Sequence, residues 1–328
     1  MVTGMIQSKN CQLPAIAGQT PDPIKRESQV KKYTRWLRND KVNANIFFLP
    51  FIEKVIKVLA TDQIFLIFDG STVARDSACL MASIIYQKRA IPIAWIPVEG
   101  RKGHFTEAVH IELLHQVKSM LPQDAKVIVL GDGEFDGINF LQSILDAGWD
   151  FAVRTSKNTN LYRDKTKLTL PVTLPNNQIK SYAKVLFTGK KFGPVTAVTC
   201  RIKNGGSLQH LISSSTSANE IVRWYKKRCI IETLFSDKKS RGFKLDKSLI
   251  SDISRIGRLI IVTSLAYIWL VLLGDYAKAS GLVKAFHRTE RCDLSLLQLG
   301  FRLLEYLIHQ QARIPEIRLL QGDLQCVR

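Results

Sequence analysis

Between Gln63 and Arg154 the chain runs through apolar stretches and turns in an order that few folds accommodate. Ile64-Phe-Leu-Ile-Phe68 reads as a strand and runs into Asp69-Gly70. Two further strand-like runs follow, Ala78 to Tyr86 and Ile91 to Val98, and the short polar turn Gln87-Lys-Arg89 between them predicts a hairpin. Phe105 to Met120 has the apolar spacing of an amphipathic helix, and Lys126-Val-Ile-Val-Leu130 is a buried strand that ends at Gly131-Asp132. A helix from Ile138 to Ala147 then leads to the strand Asp150 to Arg154. Three strands, helix, strand, helix, strand predicts an α/β domain with a mixed sheet flanked by helices.

That order is the one found in ribonuclease-H-like folds. The remaining segments frame it. Residues 1–61 read as a helical N-terminal segment, with apolar residues at helical intervals over Ser28 to Arg38 and Ile46 to Leu59 and breaks at Pro21, Pro23 and Pro50. That fold is expected in two parts, residues 62–153 and 216–275, followed by a helical C-terminal segment at 276–328. Between the two parts, residues 154–215 read as a β-rich basic insertion. From 154 to 203 it carries eleven Lys and Arg against the single acid Asp164, so ten of the nineteen net positive charges sit in about fifty residues. Lysines that protect a sheet edge are common, but ten surplus charges exceed that need and point to a polyanion. Double-stranded DNA is the expected partner, because basic side chains release the counterions condensed on its phosphates.

Other classes fit less well. Six scattered cysteines without a CxxC pair argue against a zinc site or a disulfide scaffold and suit a reducing compartment. Met1 to Ala17 lacks the layout of a signal peptide. The longest apolar run, Leu259 to Leu273, is about half a dozen residues short of a bilayer span, so it reads as a core helix with no membrane partner. Gly131, Gly133 and Gly137 follow a strand, yet their spacing is one residue too long for a dinucleotide fingerprint, and the acids among them would repel a pyrophosphate.

Asp69 and Asp132 stand at the predicted ends of the first and fourth strands, which such a sheet makes neighbours. A lone Asp after a strand is usually a turn residue. Two on adjacent strands, with Glu232 on a later helix as a third, make sense if cations neutralise them. Hard oxygen ligands suit two Mg2+ ions, with Mn2+ able to substitute, placed to clamp the attacking and leaving oxygens of a phosphodiester. Glu134 and Asp136 compete with Asp132 for the role, but Asp132 is the strand's own end. Asp76 and Asp237 read as surface acids. His110 and His115 are five apart on a helix and share no face, while His104 follows a Gly-rich turn.

From Tyr225 the sequence reads Tyr225-Lys-Lys-Arg228-Cys-Ile-Ile-Glu232-Thr-Leu-Phe-Ser-Asp-Lys-Lys239. On one continuous helix Tyr225, Arg228, Glu232 and Lys239 share a face, while Lys226, Lys227 and Lys238 lie off it as diffuse charge. The shared face offers a carboxylate for metal and three groups able to grip a phosphate. This Y-x2-R-x3-E-x6-K spacing resembles the signature of bacterial insertion-sequence transposases of the DDE type, in the group named for these residues. The flanks Arg223-Trp224, Arg241-Gly242-Phe243, Phe68-Asp69-Gly70-Ser71 and Gly131-Asp132-Gly133-Glu134-Phe135-Asp136-Gly137 are similar to that group too. The resemblance implies metal-dependent cleavage at element ends and strand transfer by Asp69, Asp132 and Glu232. It also implies phosphate binding by Tyr225, Arg228 and Lys239, a homodimer in the DNA complex, and a cytoplasmic, nucleoid-associated protein. Those transposases stack a flipped base on a tryptophan in the insertion; the insertion here has no tryptophan, and Tyr162, Tyr182 or Phe187 is the expected substitute. The rival expectations are a catalytically idle DNA-binding remnant acting as a repressor, and a related nuclease that cuts without joining.

Overall fold

The computed structural model describes residues 1–59, 63–74, 76–100, 105–202, 206–288 and 292–317. The chain forms two compact units. One comprises Ala60–Ser71 and Cys79–Thr233, the other Met1–Leu59, Thr72–Ala78 and Leu234–Arg328.

The helical N-terminal segment holds α1 (Val2–Ser8), α2 (Leu13–Gly18), α3 (Arg26–Arg38), α4 (Ala44–Phe47) and α5 (Leu49–Leu59). In α3 the spacing of Gln29, Tyr33 and Leu37 lays one face inward. There the Gln29 amide donates to the Tyr33 hydroxyl at 2.7 Å, and that hydroxyl meets Thr20 Oγ1 at 2.8 Å. Asn43 caps α4 by accepting from the Ile46 amide. Ile52, Val55 and Ile56 form the buried stripe of α5.

In the sheet-containing unit the apolar runs fold as read. They give β1 (Gln63–Ala74), β2 (Ser77–Tyr86), β3 (Arg89–Glu99), α6 (Glu107–Lys118), β4 (Lys126–Gly131), α7 (Ile138–Asp146) and β5 (Asp150–Thr155). Gln87 and Lys88 both take positive φ between β2 and β3, the two-residue hairpin link whose twist matches that of the strands. β4 pairs in parallel with β1 on one side and with β5 on the other, and near-total burial of these strands is what a covered parallel sheet requires.

The basic stretch contributes β6 (Leu161–Arg163), β7 (Thr166–Leu168), β8 (Ile179–Phe187), β9 (Phe192–Arg201) and β10 (Leu208–Ser213). These strands extend the same sheet. Its order is β3-β2-β1-β4-β5-β10-β9-β8-β6-β7, with β10 antiparallel to β5 from His210↔Thr155 to Ser213↔Ala152. The first five strands, with α6 leading to β4 and α7 to β5, form a ribonuclease-H-like mixed sheet flanked by helices. α8 (Ala218–Tyr225), a 3-10 turn (Lys226–Cys229) and α9 (Ile230–Lys238) follow, and the boundary between the units falls within α9.

In the helical unit α10 (Ile253–Ala279) precedes α11 (Val283–Phe286) and α12 (Leu296–His309). At 27 residues α10 outruns the expected core helix and is long and apolar enough to cross a bilayer, but 83% of its most apolar window is buried inside the protein. α12 lies against it backbone to backbone. A Cβ on Gly274 would collide with the Leu296 carbonyl, and one on Gly300 with the Leu270 carbonyl, so glycine is what lets these helices close. Arg258 on α10 donates to the carbonyls of Leu37 and Val42 and to Asp40, which fixes the end of α3.

Candidate active site

Asp69 lies inside β1, five residues before its last residue, and not at the strand's end as the sequence suggested. The parallel pairing with β4 nevertheless stops at Ile67↔Leu130. β1 continues because β2 still borders its other edge. Carried on by two residues, the β1/β4 register sets Asp69 level with Asp132, which directly follows β4. Adjacent strands lie about 4.8 Å apart, so the two carboxylates start from neighbouring points on one side of the sheet.

Arg228 ties Asp69 to Glu232. Its Nη1 donates to Asp69 Oδ2 at 3.2 Å and its Nη2 to Glu232 Oε1 at 2.7 Å. Asp69 is 2% exposed, Arg228 13% and Glu232 60%, so the pair with Asp69 lies largely out of water while Glu232 stays open to solvent. Burial works against the Arg228 charge, but Tyr225, Asp69 and Glu232 outweigh it and raise its pKa above that of a free arginine.

Glu134 and Asp136 are engaged elsewhere. Asp132 Oδ1 accepts the Glu134 amide at 3.0 Å, Glu134 Oε1 accepts the Phe105 amide at 3.4 Å, and Asp136 Oδ2 accepts the Thr155 hydroxyl at 2.7 Å. Burial also pushes the Asp136 carboxyl above its ordinary pKa, with Thr155 opposing. Asp132 keeps the rest of its carboxylate unspent on ion pairs among the described residues.

The Tyr225 to Lys239 segment departs from the single helix its periodicity predicts. α8 stops at Tyr225, four residues form a 3-10 turn, and α9 resumes at Ile230. A 3-10 turn winds at 3.0 residues per turn, which shifts every later position around the axis. Lys239 lies one residue past the end of α9, in the helical unit. Tyr225 is buried, and burial pushes its hydroxyl up to about 12 against the pull of Arg228 and Arg154, so it is a neutral donor. Two further expectations are corrected. Lys238 is buried and donates to Ser264 Oγ at 2.8 Å, so it is no diffuse surface charge, and Asp237 is 2% exposed, so it is no surface acid. Lys227 sits over the Phe65 ring at 4.6 Å, Lys226 is exposed, and Asp76 is exposed as expected. His110 is buried and His115 exposed; His104 lies outside the described residues.

Nine of the eleven basic residues of the insertion are exposed and none of the nine forms an ion pair among the described residues: Arg154, Lys157, Arg163, Lys165, Lys167, Lys180, Lys184, Lys190 and Lys191. Arg201 instead braces the insertion by donating to the carbonyls of Leu174 and Gly206, and Lys203 lies outside the described residues. Phe187 is 1% exposed in the core and unavailable for stacking, whereas Tyr162 and Tyr182 are partly open. A cleft of about 590 Å³ opens beside the Asp132 loop, lined by Gly133, Arg154, Ser156, Lys157, Gln209 and His210 among others. Sequence reasoning counted Arg154 only as charge. Its signal was its place at the carboxyl end of a central parallel strand, where such sheets bind ligands.

Among the described residues no three His, Cys, Asp or Glu side chains stand close enough to share one metal ion. Two of the expected carboxylates meet around Arg228 and the third stands level on the next strand. The oxygens are hard donors of the kind a divalent cation takes, and in this structure the Arg228 guanidinium stands between two of them.

Comparison with known proteins follows the same lines. No curated protein sequence matches the chain. Among solved structures, the piggyBac transposase synaptic complex with hairpin DNA is similar at a TM-score of 0.39 and 12% identity. That likeness covers 77% of this chain and 55% of that one, so the chain spans little more than half its length. The NurA nuclease from Sulfolobus solfataricus is similar at a TM-score of 0.30 and 11% identity, over 63% of this chain and 83% of that one. Likenesses this distant carry nothing about substrate or chemistry. Residues 61–269, which include Asp69, Asp132, Tyr225, Arg228, Glu232 and Lys239, match the model of the transposase DDE domain, and the chain belongs to that family.

Proposed function

We propose that the chain is a DNA transposase of the YREK group, which hydrolyses phosphodiester bonds at the ends of an insertion sequence and joins the freed 3′-hydroxyls to target DNA. The observation that carries this reading is Arg228 held between Asp69 and Glu232, with Asp132 level with Asp69 on the adjoining strand. Asp69, Asp132 and Glu232 would hold Mg2+ or Mn2+, which supplies Lewis-acid polarisation of the phosphodiester and an activated water. The chain's own residues do the rest. Tyr225 offers a neutral hydroxyl, and Arg154 and Arg228 offer charge to phosphate oxygens. The exposed lysines of the insertion hold the duplex beside the cleft. A homodimer on paired DNA ends, a cytoplasmic location and Lys239 as a phosphate ligand belong to the same proposal and rest on the family resemblance, while the five-segment domain division rests on the pattern of elements and charge along the sequence.

The test is a cleavage and strand-transfer assay on the element's terminal repeats, with and without Mg2+. Asp132→Asn is expected to abolish both steps while DNA binding stays equal or tightens, because a negative charge near the phosphates is gone. Cutting by Asp132→Asn in Mg2+ refutes the assignment. Wild-type protein that cuts without joining is a nuclease, and one that binds without cutting is a repressor.

A further inference from the structure

We propose that Phe105 and Glu134 form a strap that sets the separation of Asp69 and Asp132, with Glu134 acting as a positioning residue and not as a metal ligand. The proposal rests on the reading of those two aspartates as metal-binding carboxylates. The strap can be followed contact by contact. Asp132 Oδ1 accepts the Glu134 amide at 3.0 Å, which folds the loop after β4 back over itself. Glu134 Oε1 then accepts the Phe105 amide at 3.4 Å. The Phe105 ring, 8% exposed, fills the space where a side chain at position 70 would stand, so the β1 backbone rests directly on it. The Gly70 amide in turn donates to Asp69 Oδ1 at 2.8 Å. Each carboxylate is thus oriented by a backbone amide, and the two amides belong to residues that meet through Phe105.

The segment carrying Phe105 is itself anchored. Two residues on, Glu107 Oε1 accepts the Phe140 amide at 3.0 Å and Oε2 accepts the Asn139 side-chain amide at 2.9 Å, which ties the start of α6 to the start of α7. Beneath lies an aromatic cluster joining both carboxylate loops: Phe68, next to Asp69, packs on Phe135 at 6.2 Å and on Phe140 at 5.5 Å. The β1/β4 pairing ends at Ile67↔Leu130, two residues short of Asp69 and Asp132, so among the described residues the ladder does not itself set how far apart they stand. The strap supplies that missing constraint, and groups that orient metal-binding carboxylates are worth about 10- to 100-fold in metal affinity.

Glu134→Ala and Glu134→Gln separate the roles. The glutamine keeps an oxygen acceptor for the Phe105 amide but loses the anionic charge a metal ligand needs. Mn2+ binding is followed by electron paramagnetic resonance, and amide hydrogen exchange is followed over residues 105–107 and 132–137 without metal. Glu134→Ala is expected to weaken Mn2+ binding about tenfold or more and to speed exchange in both segments, while Glu134→Gln stays close to wild type in both. Gly70→Ala, which drives the Phe105 ring away with Glu134 intact, is expected to weaken Mn2+ binding similarly and carries the test should Glu134→Ala fail to fold. Equal damage from glutamine and alanine overturns the proposal by making Glu134 a ligand, and unchanged Mn2+ affinity in Glu134→Ala and Gly70→Ala overturns it outright. Wild-type protein that binds no Mn2+ overturns the carboxylate reading instead. The exchange comparison then decides the strap alone, with unchanged exchange in Glu134→Ala counting against it.

Discussion

At the scale of single residues, the charge pair between Arg228 and Asp69 is a direct target for test because it lies largely out of water. Removing one partner of a buried ion pair leaves the other poorly compensated, so Arg228→Ala should lower stability by about 3 kcal/mol in urea melts. On a pre-nicked element end it should also lose strand processing by orders of magnitude, since a group that positions a reacting phosphate is gone. Lys227→Ala removes one positive charge too, but only a cation–π contact with Phe65, worth about 0.5–1 kcal/mol. Equal effects from the two variants would reduce Arg228 to diffuse charge. His110 gives a pH prediction. Burial holds its imidazole down to about 4, opposed in part by Glu107 and Asp132, against 6.5 for an ordinary histidine. Below pH 6.5 the unfolded chain takes up a proton that the folded chain refuses, so the stability this neutral ring supports is present above that pH and drains away towards pH 4. The urea midpoint should therefore fall between pH 7 and pH 5, and fall less in His110→Phe, which keeps a ring among Phe105, Phe135 and Phe140. That Asp69 and Asp132 start from neighbouring strands was legible in the sequence because each follows an apolar run. The Arg228 contact with Asp69 was not, since it joins positions far apart in the chain that only the folded sheet brings together.

At the scale of elements, β8 and β9 with their connecting turn carry Lys180, Lys184, Lys190 and Lys191, all exposed. Changing these four to glutamine should flatten the slope of log affinity against log salt by about three to four units. An unchanged slope in a filter-binding titration would make them solubilising charges at a sheet edge. Strands β1 to β5 were readable because unbroken apolar runs admit little else in a covered sheet. β10 gives a weak signal within the β-rich insertion because Gln209 and His210 interrupt its apolar pattern; in the fold His210 is buried and its Nδ1 meets Thr199 Oγ1 at 3.0 Å. The 3-10 turn at Lys226–Cys229 was invisible for a related reason: helical periodicity over fifteen residues reads the same whether or not one turn is wound more tightly.

At the scale of the whole molecule, the contact between α10 and α12 is a site where stability can be probed apart from chemistry. Gly300→Ala places a methyl group against the Leu270 backbone, which cannot yield as a side chain would, and should cost about 2–3 kcal/mol. Calorimetry on the purified chain checks this, and an unchanged melting temperature would show that the helices can part at little cost. The division into two units was not legible, because Thr72–Ala78 joins the helical unit from the middle of a strand hairpin, and sequence patterns record no such long-range choice. Hydrogen bonds that run unbroken across ten strands also set what a deletion experiment can mean. Excising the basic strands as if they were a detachable module would turn β10 or β5 into a raw sheet margin, with Leu211 and Ile212 or Ala152 and Val153 losing their cover. Such margins recruit strands from other molecules. The truncated protein would then precipitate, and its silence in an assay would report on colloidal behaviour and not on DNA.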